Sequence, residues 1–589
     1  MGDTQNLLSH SDVVKLLCEN EQALKDYFMV IGNMQGMNTI SRIVSGDHLQ
    51  ADDTQEHQRL FGIEYEMSAN SMFNIVLSLK HTNNGEGAVR FFTACNRKLK
   101  AWFTAMNLER AGRPWQLSRL DVTYHLALSR HLSTIVSHLG QLPELQPYIE
   151  GMRQDEPVMQ LLLLHPLRIH AARAEGAAGM WARNGQQMRV QTFLYAQLQI
   201  ASAYLVPDLD LMRFCAANLD ESDVLHSIFD AYSLIDVFRW QSGIWRDHDP
   251  CGVRWDRDEA TSLVRAEWID PMTFGCLRLI AELVVLRGSE STTDREVIQA
   301  EVVRWLAAGE NTHSRLRSSM PEKGSRGSEI IDAHFDSALQ EVSDFAEADR
   351  EGHLNQGCYT LNRTGVLDSF CPVYLMSRSG SMRHAMTAIK SVENKERRLV
   401  DRPEHKVKEV WIPFRLCSFD DSLRHESVRA IPKLLVAVRF LETACYILER
   451  FATDSTRVSS EGEEEQEMLF KDHTIQMLVY LLSLSVVYVA STPHKTAFLQ
   501  RFHENYAVRG SPDERTTALA ILSVIPIFLT PSATARDVTA SQGSQKAQMN
   551  TTEELRVAVR DAIKAEVQVR IAAGTPAEYY GRLIALLYR

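Results

Sequence analysis

The sequence predicts a mainly α-helical protein, a large multi-helix body with a small β element around residues 356–420. Apolar residues recur at helical spacing along most of the chain. Near the C-terminus Leu555, Val559 and Ile563 follow one another every four residues and share one helix face, after a capping box at residues 551–554. Glycine is scarce, at 29 of 589 residues, which indicates few tight β-turns and few glycine-rich nucleotide loops.

A second capping box at residues 575–578 begins another predicted helix, so two helices are predicted within 551–589. Helical periodicity predicts further helices ahead of this C-terminal pair. Between Ile431 and Phe451 apolar side chains occupy every face, which is typical of a helix in the centre of a core. The other predicted helical segments are 10–45, 88–108, 116–140, 186–205, 221–240, 258–268, 272–287, 293–308 and 328–348.

Strand signals are fewer and fall mostly in one region. Residues 407–412 (VKEVWI) alternate in polarity with the period of two that is typical of a strand. Residues 372–375 (PVYL) are its expected partner, and residues 73–78 fit either a helix or a strand. We therefore expect the small β element between these helices.

Composition along the chain suggests three parts. Polar stretches at 309–327, 454–467 and 531–550 have the composition of loops. The predicted parts are a helical body over 1–310, a mixed segment with a mobile loop and the small β element over 311–430, and a helical part over 431–589. The last part is expected to pack on the first, so that the whole could also form one continuous domain.

One strongly apolar stretch, residues 475–490, raises the question of a membrane span. A helix that crosses a bilayer needs about 20 apolar residues, whereas this stretch has 16, and no Lys/Arg cluster flanks it. The sequence therefore predicts no membrane span, but a helix buried in a core or between subunits. The candidate core or interface residues are Leu478, Val479, Leu481, Leu482, Val486 and Val487.

Cysteine usage indicates a reducing compartment. The nine cysteines are scattered and form no Cys-X-X-Cys pair, which argues against both a disulfide framework and a zinc ribbon. The N-terminus lacks the basic and apolar regions of a secretory signal. The predicted location is intracellular, either the cytoplasm of a host cell or a virion.

No motif predicts a catalytic residue, a cofactor or a metal. Residues 247–258 resemble a calcium loop in their aspartates, but Cys251 stands where an oxygen ligand is required, and a helix cap explains the segment. His131 and His138 are seven residues apart, which does not suit zinc, and packing explains them. Phosphate-binding glycine loops and nucleophile elbows do not occur in the sequence.

A local basic patch is the one candidate for contact with a polyanion. Although the net charge is −12, residues 378–415 carry ten Lys or Arg against five Asp or Glu. The interleaved acids also fit an ordinary solvated surface. The candidate polyanion contacts are Lys395, Arg397, Arg398, Arg402, Lys406 and Lys408.

These features favour a non-enzymatic, self-assembling structural protein, specifically a viral capsid shell subunit around duplex RNA. The chain is long, helix-rich and acidic, and an acidic interior would leave an enclosed duplex mobile. The expected partner is a second copy of the chain, with RNA as a weaker candidate. One alternative is a nucleoprotein or scaffold that coats RNA through residues 378–415. Another is an enzyme of an unrecognised helical class.

Overall fold

A computed structural model of the chain describes most of its first 400 residues and two shorter stretches after them. The described residues are 6–45, 48–51, 57–105, 121–181, 185–196, 201–235, 237–238, 266–289, 292–321, 327–347, 357–379, 382–399, 428–437, 439–440, 443–444, 446–447, 450 and 469–491. They belong to two compact units. The first comprises Met1–Tyr232, Arg278–Glu404 and Ser422–Ile431; the second comprises Ser233–Leu277, His405–Asp421 and Pro432–Arg589.

Helices dominate the N-terminal part of the first unit. They are α1 (Ser11–Glu19), α2 (Glu21–Gly32), α3 (His57–Glu64), α4 (Asn70–His81), α5 (Gly85–Ala105), α6 (Ala127–Leu139), α7 (Gln146–Arg153), α8 (Glu156–Ala178), α9 (Gly185–Ala196), α10 (Leu205–Asn218) and α11 (Glu221–Ala231). A π-helical turn, Tyr65–Ala69, joins α3 to α4. A further helix, α12 (Ala266–Val285), contributes residues to both units.

Helix α8 forms the centre of the first unit. Nearly every side chain from Val158 to Glu175 is buried, and α7, α9, α10 and α11 all pack against this helix. Such burial on all sides requires apolar residues around the whole circumference. The helix ends at Gly179, whose φ of 76° is the left-handed conformation that glycine adopts most readily.

A small three-stranded sheet lies beside these helices. Strand β1 (Ile40–Ser45) pairs antiparallel with β2 (His48–Ala51) on one side and with the short β3 (Asp121–Val122) on the other. This sheet was not expected from the sequence, because the segment 10–45 was predicted to be helical throughout.

The remaining part of the first unit continues with helices and one hairpin. Its elements are α13 (Asp294–Ala307), α14 (His313–Ser318), α15 (Gly327–Val342), β4 (Ser343–Ala346), β5 (Cys358–Leu361), a π-helical turn (Gly365–Ser369), α16 (Pro372–Arg378) and α17 (Met382–Leu399). The mainly α class with a minor β element is therefore confirmed.

The predicted strands differ from the observed ones in position. Residues 372–375 are helical, because Pro372 occupies the first position of α16, where its missing N–H costs nothing and its fixed φ suits a helix. Residues 73–78 lie inside α4. The predicted strand at 407–412 and the predicted helices at 551–589 lie outside the described residues.

The second unit contains α18 (Asp472–Ser491) and all but the first residue of a 3₁₀ helix, Ile431–Val436. Asp270 receives hydrogen bonds at the start of α18 from the Lys471 backbone N–H (2.8 Å) and the Thr474 hydroxyl (2.6 Å). The Ser485 hydroxyl lies 3.0 Å from the Leu435 carbonyl oxygen.

The apolar stretch 475–490 forms most of α18. Leu478 and Leu481 have no exposed surface, and Val479 and Leu482 are half-buried. Nothing is described of the side chains of Val486 and Val487. Among the helices that the structure describes, none is both long and apolar enough to cross a membrane.

Candidate functional site

Within residues 294–399, three helices are followed by a β-hairpin and two further helices. Helices α13, α14 and α15 come first, and β4 and β5 then pair antiparallel, with Ser343 opposite Leu361 and Ala346 opposite Cys358. Helices α16 and α17 complete the segment. We call residues 294–399 the helix–hairpin module.

The module has its own apolar core between α13 and α15. Helix α13 begins with a capping box, in which the Glu296 backbone N–H donates to the Thr293 hydroxyl and the Glu296 carboxylate accepts from the Thr293 N–H. The buried apolar side chains of these two helices are Ile298, Val302, Val303, Leu306, Ile331, Phe335, Ala338, Leu339 and Val342.

A buried ion cluster ties α13 to α16. The carboxylate of Glu301 accepts from Arg304 Nε at 2.8 Å and from the Tyr374 hydroxyl at 2.7 Å, and Arg378 Nε lies 3.7 Å away. Burial alone would raise the pKa of Glu301, but the charges of Arg304 and Arg378 outweigh it and hold this pKa below its usual value. The carboxylate is therefore charged and fully paired inside the protein.

A second contact links the module to the helical body of the same unit. Arg173, on the central helix α8, donates from Nη2 to the Ser377 carbonyl oxygen at 3.1 Å. Arg378 follows directly and is buried against Glu301. Thus Arg378, the first residue of the predicted basic patch, serves in anchoring and not as a surface cation.

The hairpin presents an aromatic pair to solvent. Phe345 on β4 lies directly across from Tyr359 on β5, with ring centroids 4.9 Å apart, and 56% of Phe345 is exposed. A side chain at Gly357 would collide with the Phe345 ring, so the ring rests on bare backbone. The His313 ring lies 6.3 Å from Tyr359.

The surface next to this pair is acidic. Residues 327–347 include six carboxylates and neither lysine nor arginine; the carboxylates are Glu329, Asp332, Asp336, Glu341, Asp344 and Glu347. Three of them pair with basic side chains from other elements of the module. Asp332 pairs with Arg317, Asp336 with His313 at 2.9 Å, and Glu341 with Arg295 at 2.6 Å.

A separate ionic network lies deep in the helical body. Arg130 donates to both carboxylate oxygens of Asp208, at 3.0 and 2.9 Å, and to Glu64 at 2.9 Å. The other Glu64 oxygen lies 2.5 Å from His125 Nδ1. Because none of these side chains is more than 3% exposed, a substrate has no access, and the network acts in stability.

A third buried cluster surrounds His170. Its Nδ1 lies 3.7 Å from Glu282 and 3.4 Å from Arg173 Nη1, and burial together with nearby arginines holds its pKa well below the usual value. Arg278 lies 3.4 Å from Glu282. Like the Arg130 network, this cluster is sealed from solvent.

His131, one of the two histidines considered for zinc, is a packing residue. His131 is fully buried, its Nδ1 donates to the Ala127 carbonyl at 2.8 Å, and its Nε2 therefore accepts from the Tyr27 hydroxyl at 2.9 Å. Within the described part of the chain no group of His, Cys, Asp or Glu side chains is arranged to hold a metal ion. The loop 247–258 lies outside the described residues.

The candidate polyanion contacts are only partly described. Lys395 is half-buried on α17. Arg397 and Arg398 also lie on α17, but their side chains are not described, and Arg402, Lys406 and Lys408 lie outside the described residues. These six residues stay a prediction.

Four buried cysteines are unsuited to nucleophilic chemistry. Burial raises the pKa of Cys18 to about 12 and also raises the pKa of Cys95, Cys215 and Cys276. Because the thiolate is the reactive form, these thiols are inert at neutral pH.

Comparison with known proteins finds a similarity that covers most of the helix–hairpin module. Residues 297–404 match the family model described as the winged-helix domain of UBR1-like E3 ubiquitin-protein ligases. The match begins within α13 and spans the hairpin. No solved structure matches the chain significantly.

Several curated proteins are similar to a larger part of the chain. The E3 ubiquitin-protein ligase UBR3 of Homo sapiens is 28% identical over 393 residues, which are 66% of this chain and 20% of the relative. The Ubr3 ligase of Drosophila melanogaster is 23% identical over 495 residues, 82% of this chain and 20% of the relative. UBR1 of Mus musculus is 22% identical over 359 residues, 59% of this chain and 19% of the relative. The chain thus spans about a fifth of the length of these relatives.

These similarities overturn the function predicted from the sequence. The chain is similar to ubiquitin ligases and not to capsid proteins, so the shell subunit, the virion location and the RNA-coating alternative are wrong. The relatives are enzymes, so the prediction of a non-enzymatic protein and the alternative of an unrecognised enzyme class are wrong as well.

The physical reason for this error lies in α18. Its apolar residues suggested an interface between copies, and a second copy of the chain was the expected partner. Leu478 and Leu481 are instead fully covered within a single chain, so their burial does not require self-assembly.

Proposed function

We propose that this chain is the winged-helix-bearing part of an E3 ubiquitin-protein ligase, and that it serves that ligase by holding proteins in position for ubiquitin transfer. The observation that carries the proposal is the match of residues 297–404 to a UBR1-like winged-helix domain, over the same residues that form three helices and a hairpin.

The anchoring of the module supports a scaffolding role. Glu301 and Arg378 are buried together, and Arg173 on α8 reaches the Ser377 carbonyl oxygen. The ion cluster holds α16 on α13 inside the module, because breaking it strands charges in a low dielectric, and the Arg173 bond then holds the end of α16 on α8, which favours one orientation of the module on its unit. A scaffold that orients bound proteins requires this rigidity.

Charge favours proteins over nucleic acid as the bound molecules. Nucleic-acid-binding modules present Lys and Arg to phosphate groups. Residues 327–347 present six carboxylates and no Lys or Arg. Three of these carboxylates pair with Arg317, His313 and Arg295, so the charge that repels a phosphate backbone on this face comes from Glu329, Asp344 and Glu347.

The four buried cysteines are unsuited to carrying ubiquitin as a thioester, which supports a different role for this part of the chain. A thioester forms by attack of a thiolate, and the thiols of Cys18, Cys95, Cys215 and Cys276 are sealed and hold their protons. We also propose an intracellular, reducing location, supported by the free thiols among the described residues: Cys18, Cys95, Cys215, Cys276, Cys358 and Cys371.

The proposal is tested with the full-length protein that contains this chain. It is purified and mixed with ubiquitin-activating enzyme, ATP, labelled ubiquitin and each member of a panel of ubiquitin-conjugating enzymes. We expect high-molecular-weight conjugates with at least one conjugating enzyme that depend on the full-length protein. If none forms with any conjugating enzyme, while an unrelated ligase is active in parallel reactions, the proposal is refuted.

A further inference from the structure

We propose that the hairpin β4–β5, together with the acidic helix α15, docks a protein segment rich in lysine and arginine that presents an apolar residue to Phe345. This inference rests on the proposed function, because it specifies which kind of protein the scaffold holds at the helix–hairpin module.

The aromatic pair supplies the apolar contact. Phe345 and Tyr359 are directly cross-strand neighbours, so both rings lie on the same face of the hairpin. In the unbound chain 56% of Phe345 is exposed to water. A partner that covers this part of the ring gains the favourable free energy of burying apolar surface. Aromatic residues, phenylalanine among them, are enriched at protein interfaces relative to the rest of the surface.

The ring is held in place before any partner arrives. It packs on Tyr359 from the side and on the bare backbone of Gly357. The Tyr359 N–H donates to the Asn311 carbonyl oxygen at 2.8 Å, which fixes β5 against the segment before α14. A preorganised contact residue loses little conformational entropy on binding, and this favours affinity.

The charge around the ring determines the chemistry of the occupant. Asp344, on the opposite face of β4 from the ring, and Glu347, directly after β4, are both exposed, and Glu329 is exposed on α15. Arg317, His313 and Arg295 already partner the other three carboxylates of residues 327–347. A segment with several cations gains charge complementarity here, whereas an acidic segment or a phosphate backbone is repelled.

The test uses the purified 589-residue chain and three fluorescein-labelled probes. The first probe is a short lysine-rich peptide that contains two leucines. The second has glutamate in place of every lysine, and the third is a DNA duplex of similar length. Binding is measured by fluorescence anisotropy at low and high salt. We expect the lysine-rich peptide to bind, with an affinity that falls as salt rises, and the other two to bind at least tenfold more weakly.

Variants at the hairpin separate this surface from general attraction to an acidic protein. We expect Phe345→Ala to weaken binding of the lysine-rich peptide roughly fourfold to twentyfold, in line with the burial of the 56% of this side chain that is exposed. Phe345→Trp, which keeps an aromatic ring, should retain binding. Tyr148→Ala removes another exposed ring, 47% exposed on α7, and should leave binding unchanged.

Charge reversal has a matched control on α1. The pair Asp344→Lys and Glu347→Lys should abolish most of the binding. The pair Asp12→Lys and Glu19→Lys changes net charge by the same amount at two exposed positions and should have little effect. If both pairs weaken binding equally, or if Phe345→Ala leaves it unchanged, the docking surface is refuted. Tighter binding of the DNA duplex than of the peptide would refute it too.

Failure of this inference is distinguishable from failure of the proposed function. Conjugates formed by the full-length protein, with peptide affinity unaffected by Phe345→Ala, would refute the docking surface and leave the ligase proposal standing. Binding of the peptide that depends on Phe345, without conjugates from any conjugating enzyme, would support the surface and refute the ligase.

Discussion

Removal of the Glu301 carboxylate is the sharpest test of the buried ion cluster that anchors α16 to α13 within the helix–hairpin module. Glu301→Ala leaves Arg304 without its 2.8 Å partner, Arg378 without its nearest anion and the Tyr374 hydroxyl without an acceptor. Arg304 and Arg378 are buried and Tyr374 is half-buried, so water does not replace the carboxylate beside the two arginines.

The expected loss follows from that geometry. Breaking a buried pair by removing one partner costs about 3–5 kcal/mol, because the remaining charge stays uncompensated. Glu301→Gln keeps the shape and one acceptor oxygen, and should cost about half as much, since hydrogen bonds to charged groups contribute roughly 1.5–3 kcal/mol. If Glu301 is replaced in an Arg378→Met background, the additional loss should be smaller, because one of the stranded cations is gone.

The measurement is the urea midpoint of the purified chain, followed by circular dichroism at neutral pH. Glu341→Ala is the matched control, since Glu341 also pairs with an arginine but is exposed, and such surface pairs contribute about 0–1 kcal/mol. The folded pKa of Glu301 lies below its usual 4.5, so its contribution is complete above pH 4.5 and is lost as pH falls through the folded pKa. If Glu301→Ala and Glu341→Ala shift the midpoint equally, the anchoring role of the cluster is refuted.

Three further perturbations have defined outcomes. Arg130→Met should destabilise the chain by about 3–5 kcal/mol in urea unfolding, because it leaves the buried carboxylates of Glu64 and Asp208 without their shared cation; a loss under 1 kcal/mol would contradict this. Burial lowers the pKa of His131 from 6.5 to about 4, so this side chain is neutral in the folded chain at neutral pH. As pH falls, the unfolded chain therefore binds a proton at this residue at a higher pH than the folded chain does. Stability should thus fall by up to about 3 kcal/mol as pH drops from 6.5 to 4, and His131→Gln should flatten that dependence in urea titrations at several pH values. Leu481→Ala, at a position with no exposed surface, should cost about 2–5 kcal/mol in the same assay, and an unchanged midpoint would show that α18 is not packed as described.

The helical class could be predicted because its signals are local. Helix α13 lies within the predicted segment 293–308, and Thr293 with Glu296 three residues later has the sequence pattern of its capping box. Likewise, the apolar run 475–490 coincides with α18. Each of these signals spans one helix and needs no knowledge of the rest of the fold.

Strand β4 of the hairpin could not be predicted because it has no local signal, whereas β5 lies within the β element predicted around residues 356–420. Residues 343–346 (SDFA) contain no β-branched residue and include alanine and aspartate, which are depleted in strands. Conversely, residues 372–375 have strand-like composition, but Pro372 begins a helix there. Tertiary pairing with Cys358–Leu361, and not propensity, determines this part of the fold.

The candidate site was missed for a related reason. Glu301 and Tyr374 are 73 residues apart, and Arg173 and Ser377 are 204 apart, so no spacing rule connects them. Phe345 stands alone among polar residues in the sequence. Its importance appears only once Tyr359 and Gly357 lie against it. The run of six carboxylates without Lys or Arg over 327–347 was the one legible clue.

The bond from Arg173 to the Ser377 carbonyl oxygen has a practical consequence for dissecting the molecule. An expression fragment that starts near residue 294 would lack α8. It would therefore expose the surface around Ser377 and Arg378 that the intact chain covers. Such a fragment should aggregate or need detergent to stay in solution. A fragment that retains residues 121–399 keeps α8, which covers this surface. Biochemists who wish to study the hairpin in isolation are better served by point substitutions in the intact polypeptide than by truncation.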